Sequence, residues 1–291
     1  MASAEREIPS ARNEIYLDPD AIRRRLTTRR LGQPLYAFES ISSTNQVCWR
    51  LALDGYPEGT LVVAEQQTRG RGRRGRQWHS PRGLGLWFSV LLRPHGHARY
   101  SWLLPLAMSI PVAVALRKLF HLGACVKWPN DVCVGKRKLA GVLVEGSVSR
   151  VSFDQAVVGV GVNVNQGRED FPRDLGEQAT SVRLELGRSV DRIGLLVQIL
   201  EEMERVYFQL VRDEQPVLQE WRELCSHLGK RVRVTGPFGT REGVFVDLGP
   251  DGSILLRSPS GREEILRPDD LFQLEEPECS SRLTSGIPMS L

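Results

Sequence analysis

Apolar positions along the chain keep one rhythm up to Gly229 and another after it. Before that glycine, compact apolar runs alternate with stretches of helical spacing. LYAFES (35–40), TLVVAEQ (60–66), LGLWFSVLLRP (84–94), ACVKWPND (124–131, entering a turn) and QAVVGVGVNVN (155–165) predict strands. They are short, rich in β-branched and aromatic residues, and bounded by turn formers. VCVGKRKLAGVLVEGSV predicts a hairpin turning at Gly135 to Arg137, and Trp128, before a proline, is expected to be extended. Gly159 and Gly161 inside a strand predict that another group approaches the backbone closely there.

Helical signals fall between these runs. DPDAIRRRL (18–26) has Asp18 as its cap, and SISSTNQVCWRLALDG is capped by Ser42, Ser43 or Thr44 and closed by Gly55. WLLPLAMSIPVAVALRKLF (102–120) has helical length; Pro105 suits a first turn, but Pro111 should kink or split it. Ile193, Leu196, Val197, Leu200, Met203, Tyr207 and Leu210 make one helical stripe, which reads as core, and another helix follows over 214–226. Beyond Gly229, KRVRVTG, TREGVFVDLGPDGSILLRSPSGREEIL and LFQL are short strands separated by Gly236–Gly239, Pro250–Gly252 and Ser260–Gly261. The expected organisation is a loose segment 1–17, a domain 18–228, a small all-β unit 229–274, and a disordered tail 275–291.

Composition narrows the class. With 291 residues and 41% hydrophobic content, one large or two modest domains can bury a core. Net charge is only +4, so basic character is local, which disfavours a general nucleic-acid binder. Five cysteines, none in a CxxC pair, argue against a disulfide framework or structural zinc and for reduced thiols in a reducing compartment. No apolar run is read as approaching the roughly 18 residues of a spanning helix. MASAEREIPSARNE has no apolar signal core, so the expectation is a cytoplasmic protein with no membrane partner.

The densest basic stretch is RGRGRRGR, residues 69–76. Gly70, Gly72 and Gly75 allow positive φ and close backbone approach, while the arginines supply forked donors for phosphate or carboxylate. RG segments for RNA usually sit in long low-complexity regions; this one is held between two apolar strands, which suits a pocket for an anion. In KWPND, Lys127 ends a strand as a mobile point charge, and Asn130 and Asp131 are turn formers able to bind a hydroxyl or a metal. Lys138 opens the strand RKLAGVLVE, and SSTN opens a helix, where anions and polar groups are favoured. Alone, each has a plainer reading: a surface lysine, an ordinary turn, a hairpin lysine, a cap.

Together and in order, SSTN, QTRGRGRRGRQWHSP, KWPND, RKLAGVLVEG and GVGVNVN resemble the biotin–protein ligases, over residues 18 to 274. The resemblance implies an α+β fold of the class II synthetase-like type, a mixed sheet flanked by helices, followed by a small β-barrel. It implies activation of biotin with ATP to biotinyl-5′-AMP, with magnesium, and transfer to one lysine of a biotin carboxyl carrier protein. By motif, Ser43, Thr44, Asn45 and Gln67 match biotin-contacting positions. Arg71, Gly72 and Arg73 match loop residues that bind biotin and the adenylate phosphate, and Lys138 matches the lysine at the biotin carboxyl end. Lys127 matches the lysine that stabilises the transition state at the α-phosphate; Asn130 and Asn163 match positions near the nucleotide, and Asp131 a position that helps place magnesium. Exposed edge strands leave a homodimer open. Some members carry an N-terminal DNA-binding domain; here 34 mostly polar residues precede LYAFES, so the monofunctional type without specific DNA binding is expected. Arg69 stands where small residues are more usual. Lipoate–protein ligation, a basic nucleic-acid module and a non-catalytic biotin-binding regulator are the competing readings.

Overall fold

The structure, a computed structural model, describes residues 17–94, 96–97, 100–148, 152–237, 239–267 and 273–276. The expected loose segment 1–17, apart from Leu17, the tail beyond residue 276, and Cys279 lie outside the described residues. Two compact units are present, Met1–Ser226 and His227–Leu291; the pattern of the sequence places the boundary at 228.

In the first unit, β1 (Leu35–Ile41), β2 (Leu61–Gln67), β3 (Gly85–Leu92), β4 (Gly96–His97), β5 (Ala124–Lys127), β6 (Asp131–Val134), β7 (Arg137–Val148) and β8 (Ser152–Asn163) make one sheet among the described residues. Its order is β1-β2-β3-β8-β7-β6-β5, with β4 also paired to β8. The β1–β2 pair is parallel and the others are antiparallel, so the sheet is mixed. The central strand β3 is buried at every position, and for that reason its sequence is a continuous apolar run rather than an alternating one.

Helix α1 (Pro19–Arg25) is capped by Asp18, whose carboxylate accepts from Asp20 N and Ala21 N. Helix α2 (Thr44–Leu53) packs on β2, β3 and β8 and ends before Gly55 at φ +83. Helix α6 (Arg192–Arg212) carries the apolar stripe; Leu196, Leu200, Met203, Tyr207 and Leu210 are buried, and it packs against α4 (Ser109–Phe120) and α7 (Glu214–Leu224). A fully buried Leu or Met contributes about 1.5–3 kcal/mol relative to exposure, so this seam is a major part of the core. A short α5 (Val182–Leu186) is capped by Ser181.

The long apolar helix is split, as Pro111 predicts, at the turn that the proline cannot hydrogen-bond. The break falls at Met108, between α3 (Tyr100–Ala107) and α4. Pro111 is therefore the third residue of α4, where its missing N–H has no intrahelical partner to lose, while Pro105 lies inside α3 rather than in its first turn. The span Tyr100–Phe120 corrects the hydropathy reading: by length and composition these 21 residues are apolar enough to cross a membrane, although 67% of the most apolar window is buried within the fold. Burial against the sheet and α6 accounts for that apolarity without a bilayer.

The second unit is an antiparallel sheet of β9 (Arg231–Gly236), β10 (Gly239–Leu248), β11 (Ile254–Arg257), β12 (Glu263–Leu266) and β13 (Gln273–Glu275), in the order β12-β11-β10-β9-β13. Val232, Val234, Phe245, Ile254, Leu256 and Leu274 form its buried face. No β12–β13 pairing closes it into a barrel among the described residues.

One buried ion pair ties a helix of the first unit to its sheet. Arg192, at the start of α6, donates to Glu65 on β2 at 2.9 Å and to the Gly85 carbonyl at 3.1 Å, and both side chains are almost fully buried. Removing one partner strands the other charge. Arg192→Ala is therefore expected to lower unfolding free energy by about 3–5 kcal/mol, read from the urea midpoint; a loss under about 1 kcal/mol would show that water reaches the pair.

Candidate functional site

The site is built on one face of the sheet where three positions on two strands lack side chains. Gly141 on β7 and Gly161 on β8 are register partners, and Gly159 lies two residues along. A Cβ at Gly161 would come within 2.6 Å of the Trp78 indole, and one at Gly141 within 3.0 Å of it. A Cβ at Gly159 would collide with Asn45 Oδ1 at 1.9 Å. The close approach expected at Gly159 and Gly161 is thus real, and its partners are Asn45 and Trp78. The indole Nε1 of Trp78 is buried and has no hydrogen-bond partner among the described residues.

A polar chain lines one side of this floor. Ser43 is the buried N-cap of α2, but its side chain makes no cap bond; instead Gln67, at the end of β2, accepts from Thr44 N at 2.8 Å and Thr44 Oγ1 at 3.1 Å. Gln67 Nε2 donates to Ser80 Oγ at 3.0 Å. Ser89 Oγ, on β3, lies 2.7 Å from Thr44 Oγ1 and 2.6 Å from Asn45 Oδ1. Asn45 Nδ2 donates to Glu145 on β7 at 2.8 Å.

The arginine stretch forms a small hairpin over the same face. Arg71 and Gln77 form an antiparallel bridge, Gly72 N donates to Arg76 O at 2.7 Å, and Arg73–Gly75 is a tight 3-10 turn. The glycines have different roles from those expected. Only Gly75, at φ +75, uses positive φ; Arg74 joins it at φ 58. Gly70 is needed for space, because a Cβ would meet Trp78 O at 2.4 Å and Ser80 Oγ at 2.8 Å. Gly72 is extended with no tight neighbour.

Cationic side chains gather on this side. Arg71 Nη1 pairs with Glu145 at 3.0 Å, and Arg73 Nη1 lies 3.5 Å from Asn130 Oδ1. The chain turns through a cis Trp128–Pro129 peptide, with Trp128 in the turn between β5 and β6. Asn130 is held there by donating to Val142 O at 2.6 Å and accepting from Val142 N at 2.9 Å. Lys138 Nζ sits 2.6 Å from Asp131 Oδ1 and 5.1 Å from the Trp78 ring centroid. Lys127 is the strand partner of Asp131, and its side chain makes no hydrogen bond or ion pair among the described residues. Asn163, two residues beyond Gly161, donates to Thr180 O at 3.0 Å and accepts from Gln166 at 3.2 Å, so most of its amide is committed within the protein.

The comparisons fit this arrangement. The model of the biotin/lipoate A/B protein ligase family matches residues 37–163. The biotin–[acetyl-CoA-carboxylase] ligase of Paracoccus denitrificans is 31% identical over 229 residues, 77% of this chain and 94% of that one. The bifunctional ligase/repressor BirA of Bacillus subtilis is 33% identical over 254 residues, 87% of this chain and 78% of that one.

The chain belongs to the biotin/lipoate A/B protein ligase family.

Among solved structures, the biotin protein ligase of Aquifex aeolicus in complex with biotin and ATP superposes with a TM-score of 0.72 at 29% identity, covering 84% of this chain and all of that one. The motif residues of this family member therefore sit on a shared fold, and the structure adds four the motifs did not assign: Trp78, Ser80, Ser89 and Glu145. Three left a trace in the sequence. Ser89 interrupts a wholly apolar strand, Glu145 is a charge inside one, and Trp78 stands two residues after the last arginine. A polar group in a buried strand needs a partner, so it marks a contact in advance without naming it.

The thiols near the site are inert. Cys133, register partner of Cys125, has its pKa pushed up to about 12 by burial first and by the Asp131 carboxylate next; burial alone does the same to Cys48. The folded state thus keeps protons that the unfolded chain loses near the ordinary value of 9. Stability from these thiols is complete below that value and is lost as pH rises through the window up to about 12. The urea midpoint should fall across that window, and Cys133→Ser should flatten the slope; an unchanged slope in the variant would show that Cys133 ionises as freely folded as unfolded.

Proposed function

We propose that this chain is an ATP-dependent biotin–protein ligase, and one observation carries the reading. A glycine floor, an indole and a polar chain (Thr44, Gln67, Ser80, Asn45) adjoin a cluster of Arg71, Arg73, Lys127 and Lys138. A flat apolar ring system with hydrogen-bonding ends fits the floor and polar chain; a carboxylate beside a triphosphate fits the cations. Biotin carries the first feature and its own carboxylate, and ATP supplies the second.

The chemistry follows from the charges. The biotin carboxylate oxygen attacks the α-phosphorus of ATP; the bond to the β-phosphate oxygen breaks, and pyrophosphate leaves. Anion meets anion in that step, so the barrier is high without preorganised cations. Lys127, without a fixed carboxylate partner, is available to follow the oxygens whose charge grows. Lys138 is oriented by Asp131 at one end and the Trp78 face at the other, which suits a lysine that holds a carboxylate in one place. The product is a mixed anhydride. An acceptor lysine amine then attacks its carbonyl, AMP leaves with the bonding electrons, and the amine proton passes to solvent. The acceptor we assign is the lysine of a biotin carboxyl carrier protein. The arginine hairpin shields the anhydride from water in the meantime.

Magnesium enters as the counter-ion of the ATP phosphates. Among the described residues no group of three His, Cys, Asp or Glu could hold a cation, and one oxygen of Asp131 is taken by Lys138. A magnesium ion held mainly by phosphate oxygens and water, with at most the other Asp131 oxygen, fits this set.

The decisive experiment is pyrophosphate exchange into ATP. Exchange that requires biotin, and does not occur with lipoate, is expected; exchange with lipoate alone would transfer the reading to the other branch of the family. Lys127→Ala is expected to slow adenylation by about 10²–10³ with little change in biotin affinity, because its charge serves the transition state. Measured single-turnover rates and calorimetric affinities separate the two effects. Arg73→Gly is expected to release biotinyl-AMP faster, read as biotinylation of bystander lysines; tight retention of the adenylate would remove Arg73 from the role.

A further inference from the structure

Glu145 lies within RKLAGVLVEG but has no role assigned there, yet it stands where the two halves of the site meet. It projects from β7 on the face shared with Gly141 and Leu143, since alternate residues of a strand share a face. Both carboxylate oxygens are engaged. Oε2 accepts from Asn45 Nδ2 at 2.8 Å, and Oε1 pairs with Arg71 Nη1 at 3.0 Å. Asn45 is in turn fixed by Ser89 Oγ and by contact with Gly159. A continuous path, Ser89–Asn45–Glu145–Arg71, therefore runs from the sheet floor to the arginine hairpin.

This arrangement has a physical consequence. The Asn45 bond prevents the carboxylate from turning away, so Arg71 meets an acceptor of fixed direction. A guanidinium has five N–H donors, and holding it by one leaves the others free for an anion. An arginine already oriented loses less freedom when the anion arrives. We infer that Glu145 is a positioning residue: it orders the arginine hairpin before any anion binds and couples the hairpin to the start of α2. For what the hairpin holds, this rests on the ligase reading; for the order of the empty hairpin, it does not.

The test uses the full chain and the isosteric Glu145→Gln, which keeps an acceptor for Asn45 but turns an amide towards Arg71. Trypsin is a natural probe, because the hairpin contains five arginines. Cleavage within residues 69–76 of the ligand-free protein is expected to be about fivefold faster in E145Q, the factor that a partly exposed ion pair can supply. Biotin with ATP should restore protection in both proteins, and E145Q should show a raised KM for ATP at nearly unchanged kcat. Cleavage of the hairpin at the wild-type rate overturns the proposal. So does cleavage raised throughout the chain together with a lowered urea midpoint, which would mark Glu145 as a fold-stabilising residue only. Faster hairpin cleavage in a wild-type background that lacks biotin-dependent exchange would uphold the positioning role while removing the ligase reading.

Discussion

The whole site depends on bare backbone at three sheet positions. Gly141, Gly159 and Gly161 leave room on one face of β7 and β8, and two side chains occupy it: the Asn45 amide and the Trp78 indole. No residue with a Cβ fits at Gly159 or Gly161 without moving them. Asn45 begins a helix and Trp78 ends a hairpin, so this one steric condition sets where two otherwise separate elements lie.

Fixing these two groups divides the face into regions of different chemistry. Around Asn45 and Thr44 the donors and acceptors are neutral and mutually satisfied, through Gln67, Ser80 and Ser89. Around Trp78 and the turn after β5, the groups are cationic: Lys138, Lys127 and Arg73. Glu145 and Asp131 are the acids that meet them, and each is bonded to a cation rather than open to solvent alone. Such a site suits a neutral ring and an anionic tail at neighbouring places, which is what a reaction between a carboxylate and a nucleotide requires.

The rest of the unit holds this face still. β3 is buried along its whole length, and it pairs with β2 and β8. The Glu65–Arg192 pair fastens α6 to the strand that ends in Gln67. One residue thus separates Glu65 of a structural ion pair from the Gln67 amide on β2.

Much of this was legible beforehand. Strand positions followed from apolar runs, and the stripe of α6 followed from its period, because burial of whole faces is a local pattern. The candidate site residues were legible as candidates, since their types carry the chemistry the proposed reaction needs. The parts that needed the fold are those where a residue's role depends on a neighbour distant in sequence. Ser43 looked like a cap, yet Gln67 supplies the acceptor from 23 residues away. Gly70, Gly72 and Gly75 looked alike, and only the surrounding atoms gave one a steric role and another a positive φ. Glu145 reads along the chain as an acid in an apolar strand; that it holds Arg71 and Asn45 together is decided by strand pairing. Local sequence thus determined which elements form and which chemistry they bring, because helix and strand periods and side-chain pKa classes are local properties. Tertiary structure decided which of those groups touch, because contact geometry is set by pairings between residues far apart in the chain.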